Sequence, residues 1–509
     1  MPASRASNTP LGVALLVIAL ALPCCASRGD PSSDYGPPQS ACSSAARHPS
    51  ILETAHDIYL PLAQNLSPLD GYPRSIVEGS EWDQRQPYEW TSGFFAGILW
   101  QLYGIFPDED LLEQGQRWTE GLEGQTNAPT HDVGFMINNS FGRGYRAAGI
   151  EEYRAVTLEA AEHLATRFDP DVGAIRAWGA MGRYSYPVII DGMMNLEILF
   201  WAARNGGEAY LADVARTHAM TTIRDFLRSD GTTFHLVDYD PDTGDVLRRG
   251  TVQGYSDTST WARGQAWALY GFTIAYKETS EPLFLETACR TADAFLERLP
   301  EDLIPCWDFD AAEIPGEPKD SSAAAIAASG LWDLASLVED PADMQRYSEA
   351  SLALVARLSS DEYSAYDLGL PALLLHATGN RPANREVDVP LIYADYYYIE
   401  ALIKQLTPCS APDDTSFRTS DVRSYPNPFR AGTRLTYSLP AAAAVTIRIY
   451  DASGRLVRSL LEDGRQADGV NIVSWDGRDN AGRVLPSGVY LCRIDVCGET
   501  LTCKTALLR

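Results

Sequence analysis

Basic charge is what this chain has least of: 41 Lys and Arg stand against 68 Asp and Glu, a formal net charge of −27 over 509 residues. That deficit excludes non-specific wrapping of nucleic acid or another polyanion. An anionic ligand would have to be taken locally, by a placed Arg or His, as the end of a short anionic chain. Histidine is scarce, with seven residues, and the nine cysteines are scattered with no CxxC pair and no His-rich partner. No zinc site is indicated, and nothing in the sequence demands another metal or an organic cofactor. Three of the cysteines, Cys492, Cys497 and Cys503, cluster near the C-terminus. One bridge can form among them, and the sequence does not select which. Long apolar runs are also missing. The run from Leu11 to Leu22 is too short to span a bilayer. With Arg5 before it and small residues near Ala26, it reads as a signal peptide over 1–25. Leu22-Pro23-Cys24 carries part of a lipoprotein cleavage pattern, with Pro before the Cys.

What is present is helical pattern. After a Ser-, Pro- and Gly-rich spacer over 26–49, the segment 50–407 alternates two kinds of helix. Amphipathic stretches with a charged face are expected over 50–66, 110–122, Glu152–Arg167, Glu208–Arg228, Leu283–Leu299 and Asp343–Leu358. Stretches apolar nearly all round are expected over Thr91–Tyr103, Asn138–Ala148, Gly192–Ala203, Thr260–Tyr276, Ser321–Leu337 and Tyr393–Leu406. A helix apolar on every side must be enclosed by others. Six enclosed helices alternating with six surface helices describe an all-α (α/α)6 barrel. A linker over 408–421 follows, and over 422–509 the period changes to short alternating strands, a small all-β immunoglobulin-like sandwich.

In such a ring the loops leading into the inner helices gather at one end, with helix N-termini aimed at the mouth. Those loops hold Trp90, His131-Asp132, Trp178, Asp191, Gln253 with Arg263, Asp320 and Asp395. Asp191 follows the apolar Val188-Ile189-Ile190 and heads an enclosed helix, so it is either a helix cap or a catalytic acid in a dry pocket. Asp132 heads a different inner helix, and a cap for the helix following Gly134 is its rival reading. Two carboxylates meeting in one cavity allow one to stay ionised while the other keeps its proton. Asp320 fits a helix cap better than a catalytic role. Arg263 and Trp267 share a helix face, and a guanidinium over an indole floor suits a sugar carboxylate, with Trp90 and Trp178 as further stacking surfaces. His235, alone in F-H-L-V-D-Y-D, reads on its own as a packed residue.

Several segments in order carry a resemblance: H-D-V-G-F at 131–135, I-D-G-M-M-N-L at 190–196, T-V-Q-G-Y-S-D-T-S-T-W-A-R-G-Q-A-W at 251–267, D-S-S-A-A-A-I at 320–326 and D-Y-Y-Y-I-E-A-L at 395–402. Residues 50–407 resemble the unsaturated glucuronyl hydrolases, glycoside hydrolase family 88. The resemblance implies an (α/α)6 barrel that takes an unsaturated uronide oligosaccharide left by a polysaccharide lyase. It implies Asp191 as general acid/base and Asp132 as the assisting carboxylate, with Trp90, Trp178, His235, Gln253, Arg263 and Trp267 around the sugar. Protonation of C4 and hydration of the double bond would then release the partner sugar. Alternatives are an unsaturated rhamnogalacturonyl hydrolase acting on pectin fragments and a non-catalytic carbohydrate-binding surface protein.

S-Y-P-N-P-F at 424–429, I-Y-D-A-S-G-R-L-V-R at 449–458, W-D-G-R-D at 475–479, S-G-V-Y at 487–490 and K-T-A-L-L-R at 504–509 resemble the C-terminal sorting domains of type IX secretion, or the similar FlgD-type Ig-like module. This implies secretion and cell-surface attachment machinery as partners and an outer-surface or secreted location, with a periplasmic protein or a lipoprotein as the alternatives. The mature protein is expected to have no transmembrane span and no nucleic-acid partner.

Overall fold

The computed structural model describes residues 48–179, 182–406, 423–425, 429, 432–439, 443–451, 454–466, 469–496 and 499–507. The expected leader, nearly all of the spacer, and the linker lie outside the described residues. In chain order the helices are α1 (His48–Asn65), α2 (Ser92–Ile105), α3 (Glu109–Glu120), a π-helix (Gly134–Gly142) continued by α4 (Arg143–Ala148), α5 (Glu151–Ala165), α6 (Gly192–Asn195), α7 (Glu197–Arg204), α8 (Tyr210–Asp225), α9 (Ala262–Thr279), α10 (Pro282–Glu297), α11 (Ser321–Ala335), α12 (Pro341–Leu358) and α13 (Ile392–Gln405). The alternation expected from the sequence is present. Every residue of α2 from Ser92 to Tyr103 is buried, as is every residue of α9 from Ala262 to Ala275. In α3 only Leu111, Gln114, Gly115, Trp118 and Thr119 turn inward. The fold is an (α/α)6 barrel, with α2, the π-helix with α4, α6 with α7, α9, α11 and α13 as its inner ring.

Local chemistry fixes where the outer helices begin. Asp108 accepts from the Leu111 amide at 2.7 Å, and Asp340 accepts from the Ala342 amide at 2.8 Å ahead of Pro341. Inside, close approach decides. A Cβ on Gly93 would stand 2.3 Å from the Phe135 carbonyl oxygen, so only glycine lets α2 lie against the π-helix. Glu400 locks the inner ring deeper down, taking hydrogen bonds from Arg143, Tyr270 and Ser329, with the Lys404 ammonium 3.5 Å away. Burial would raise this carboxyl; Lys404, Arg143 and the hydrogen bonds overcome that and hold it at about 2.

Antiparallel strands that the periodicity did not reveal occupy the loops leading into the inner helices. They are β1 (Tyr72–Ser75) with β2 (Asp83–Arg85), β3 (Phe168–Asp169) with β4 (Ala174–Ile175), the three-stranded set β5 (Tyr186–Ile189), β6 (Leu236–Tyr239) and β7 (Val246–Gly250), and β8 (Ala377–Asn380) with β9 (Arg385–Val389). They turn these loops into rigid supports. Asp395, in the first turn of α13, ties down the segment before β8. Its carboxyl takes the Tyr59 hydroxyl at 2.5 Å and the amides of Leu373 and Leu374 at 2.8 and 2.9 Å. Burial lifts its pKa to about 7 against those three donors. Replacing Asp395 with Ala orphans two buried amides and a phenol. It should lower stability by on the order of 3 kcal/mol in a denaturant titration.

In the C-terminal region, β10 (Arg423–Tyr425), β11 (Thr433–Leu439), β12 (Ala443–Tyr450), β13 (Leu456–Gln466), β14 (Gly469–Trp475), β15 (Gly488–Val496) and β16 (Glu499–Leu507) form two sheets, ordered β10-β11-β14 and β13-β12-β15-β16. Alternate residues such as Val445, Ile447, Ile449, Tyr490, Cys492 and Ile494 enter one core around Trp475.

Candidate active site

Strand β5 runs into Asp191, and the turn there places the carboxyl at the head of α6. The sequence left a helix cap as one reading of Asp191, but its side chain makes no capping hydrogen bond. Instead the residue is 8% exposed, and one carboxylate oxygen, Oδ2, is buried without a partner. Burial pushes its pKa up to about 6; His131 and Arg263 pull it down, and Asp132 pushes it further up. This group keeps its proton into mildly acidic solution, up to a pH of about 6.

Asp132 has the opposite environment. Burial alone would lift it, but the neighbouring His131 ring, 3.2 Å away, with hydrogen bonds from His131, Thr130 and Asn195, holds it below the usual carboxylate range. Asn195 ties the two acids together. Its Oδ1 accepts from the Phe135 amide at 2.8 Å, at the start of the π-helix that follows Asp132. Its Nδ2 reaches the Asp191 carbonyl at 3.4 Å. Gly134 makes room for it, since a Cβ there would meet Asn195 Oδ1 at 2.4 Å. Asn195 stands four residues after Asp191 in I-D-G-M-M-N-L, and no local pattern there signals this bridging role.

His235 is packed, as its isolation suggested, and it also faces the site. Its Nδ1 receives the amides of Val252 and Gln253, each at 3.3 Å, and lies 2.8 Å from the Thr251 hydroxyl. A nitrogen that accepts from amides carries no proton, so the ring proton sits on Nε2, 3.8 Å from Asp191 Oδ2. Burial, then Arg263, lowers its pKa to about 3, so the ring is neutral. The Trp261 ring covers it at 4.6 Å.

Two expectations require correction. Arg263 was read as the receiver of a sugar carboxylate, but it is 1% exposed and its fork is engaged. Nη1 donates to Asp320 at 2.8 Å and to the Thr378 carbonyl, and Nη2 donates to Gln253 Oε1 at 3.1 Å and to the Gly379 carbonyl. Asp320, as expected, caps α11 through the Ser322 amide at 3.1 Å. Arg263 therefore pins β8 and Gln253 to the inner ring and adds positive potential near Asp191. Trp267 was read as a stacking floor, but it is fully buried against Phe135 and Tyr397. What it keeps free is its indole N–H.

Trp90 and Trp178 are half-buried. Trp90 leans on Tyr393 at 5.0 Å, with the Arg74 guanidinium 5.9 Å from its ring centre. Trp178 packs by Tyr184, Ile189 and Leu236. Tyr393, which the sequence marked only as the start of an enclosed helix, also lies under Arg263 at 5.3 Å. Trp178 Nε1, Asp191 Oδ2, His235 Nε2, Trp267 Nε1 and the Tyr393 hydroxyl are all buried without a hydrogen-bond partner. Native interiors leave few such groups. These five atoms, most of them donors, are open to a ligand rich in oxygens. Among the described residues no cluster of His, Cys, Asp and Glu could hold a metal ion.

The model of Glycosyl Hydrolase Family 88 matches residues 72–335, and that of the FlgD Ig-like domain matches 427–496. The chain belongs to glycosyl hydrolase family 88. Among family relatives, it is 39% identical over 340 residues to the unsaturated glucuronyl hydrolase of Formosa agariphila, covering 65% of this chain and 84% of that one. It is 31% identical over 342 residues to the unsaturated chondroitin disaccharide hydrolase of Streptococcus pyogenes, covering 66% and 86%. A crystal structure of an unsaturated glucuronyl hydrolase specific for heparin superposes with a TM-score of 0.65 at 39% identity, over 72% of this chain and 96% of that one. The matched family segment holds Trp90, Asp132, Trp178, Asp191, His235, Gln253, Arg263 and Trp267, while Tyr393 and the β8 carbonyls join the site from beyond it.

Proposed function

We propose that this chain hydrolyses the 4,5-unsaturated uronic acid from the non-reducing end of lyase-generated oligosaccharides, with Asp191 as the acid and base and Asp132 as its ionised helper. The observation that carries the assignment is the unpartnered, buried Asp191 Oδ2 on a carboxyl raised to about 6, beside a carboxyl held low. The unsaturated ring is a vinyl ether. Protonation at C4 by Asp191 leaves a cation shared by C5 and the ring oxygen, which ionised Asp132 stabilises. Water adds at C5 and gives its proton back to Asp191. The hemiketal then opens at the C5–ring oxygen bond, leaving a ketone at C5 and a hemiacetal at C1. Collapse of the hemiacetal frees the partner sugar and leaves an aldehyde. The neutral His235 faces Asp191 through Nε2–H at 3.8 Å and does not compete for its proton.

The relatives include enzymes named for glucuronyl and for chondroitin substrates, which supports a glycosaminoglycan-type uronide. Incubation with disaccharides made by chondroitin, heparin and rhamnogalacturonan lyases, followed by the ultraviolet absorbance of the conjugated double bond, tests this. Loss of absorbance with a glycosaminoglycan disaccharide is expected; loss with none of them would overturn the reading.

The same assignment fixes the pH dependence. Asp191 must be protonated and Asp132 ionised, so kcat/KM should fall tenfold per pH unit above about 6. On the acid side it should hold until the pH drops below the ordinary carboxylate range, because Asp132 is held low. Stopped assays across that range check both limbs.

We also propose that the C-terminal domain is a type IX sorting module that directs the enzyme to the outer surface. What supports this is the leader-like 1–25 segment together with the K-T-A-L-L-R terminus on an Ig-like domain. Deleting 422–509 should leave the enzyme inside the envelope of a type IX-secreting host, as read by fractionation.

A further inference from the structure

We propose that Cys492 and Cys503 are joined by a cross-strand disulfide that staples β16 to β15. The two residues are directly opposite each other in the antiparallel β15–β16 register. Opposed residues in such a ladder have Cα atoms about 4.5–5.5 Å apart, inside the roughly 4.4–6.8 Å that a disulfide spans. Both side chains turn to the same face: Cys492 is fully buried in the sandwich core, and Cys503 packs against that core while keeping part of its surface open. Each thiol shifts the other's ionisation, Cys503 raising the pKa of Cys492 and Cys492 lowering that of Cys503. The other described cysteines, Cys289 and Cys306, belong to the helical domain.

The need for a staple is in the topology. Strand β16 is at the edge of the order β13-β12-β15-β16. Among the described residues its outer side meets a single bridge, from Phe429 to Leu507, and an edge strand with so little on one side is where fraying begins. The chemistry is also asymmetric. Cys503 is the exposed partner, and Cys492 favours its thiolate. Cys503 attacks a small-molecule disulfide RSSR, forming a mixed disulfide and expelling one thiolate. Cys492 then attacks the Cys503 sulfur and expels the second. The protein dithiol loses two electrons, RSSR is reduced to two RSH, and the two thiol protons leave with them.

The full chain, purified reduced and folded, would be exposed to oxidised glutathione, denatured in alkylating reagent and digested with trypsin. Peptide 484–493 contains Cys492, and peptide 494–504 contains both Cys497 and Cys503. The expected product is these two peptides linked, unchanged in Cys497→Ser and absent in Cys503→Ser. Recovery of both peptides fully alkylated, or a link that disappears in Cys497→Ser, would overturn the proposal. The wild type and Cys497→Ser decide the matter even if Cys503→Ser does not fold.

Discussion

Asp191→Asn should lower kcat by about 10²–10⁴-fold, with KM little changed, while making the folded domain more stable at neutral pH. The two effects have one cause. A carboxyl with a folded pKa of about 6 and an ordinary value of 3.8 binds its proton more tightly in the folded state. Below 3.8 it is protonated in both states and adds no penalty. As the pH rises to about 6 the unfolded state loses its proton first, so stability falls, and above that the penalty is constant. Roughly two pKa units correspond to on the order of 3 kcal/mol. An amide does not titrate, so the variant should match the wild type near pH 4 and exceed it by up to that amount near pH 7.5. Denaturant titrations at the two pH values check the crossover. Assays on an unsaturated disaccharide check the rate. Equal stability at both pH values would mean that the site does not hold a proton on this residue, and retained turnover would remove Asp191 from the chemistry.

The architecture was legible because its signal is local and repeated. Gly192–Ala203 and Thr260–Tyr276 are apolar on every side, whereas Leu283–Leu299 has a charged face, and that contrast is enough to call an inner and an outer ring. Asp132 and Asp191 were legible as candidates because each heads an enclosed helix. What was hidden depends on partners distant in sequence. Arg263 and Trp267 looked like a binding platform from their spacing, yet Asp320 is 57 residues from Arg263, and the Thr378 and Gly379 carbonyls are 115 and 116 away. No local pattern reports that these groups converge on one guanidinium. The π-helix was also hidden, because an i to i+5 pairing leaves the same apolar pattern as a short buried α-helix. The proton position on His235 follows from two amides 17 and 18 residues further on.

Replacing Arg263 with Met separates its two readings. A guanidinium that received the substrate carboxylate would be open to solvent when free, and its loss would raise KM and leave stability alone. The fork found here is buried with Asp320, both essentially unexposed, and also holds two carbonyls of the β8 strand. Removing it strands the Asp320 charge in the interior, at a cost of about 3–5 kcal/mol. Adding Asp320→Asn to Arg263→Met should recover part of that loss, because the unpaired charge disappears while the amide still serves the helix end; two such contacting sites are not additive. Arg263 also favours the ionised form of Asp191. Without it that carboxyl should hold its proton to higher pH, and the alkaline limb of kcat/KM should move upward in whatever fraction remains folded. A stability loss with an upward-shifted limb assigns Arg263 to the scaffold and the field of the site. A pure KM effect at unchanged stability would return it to the sugar.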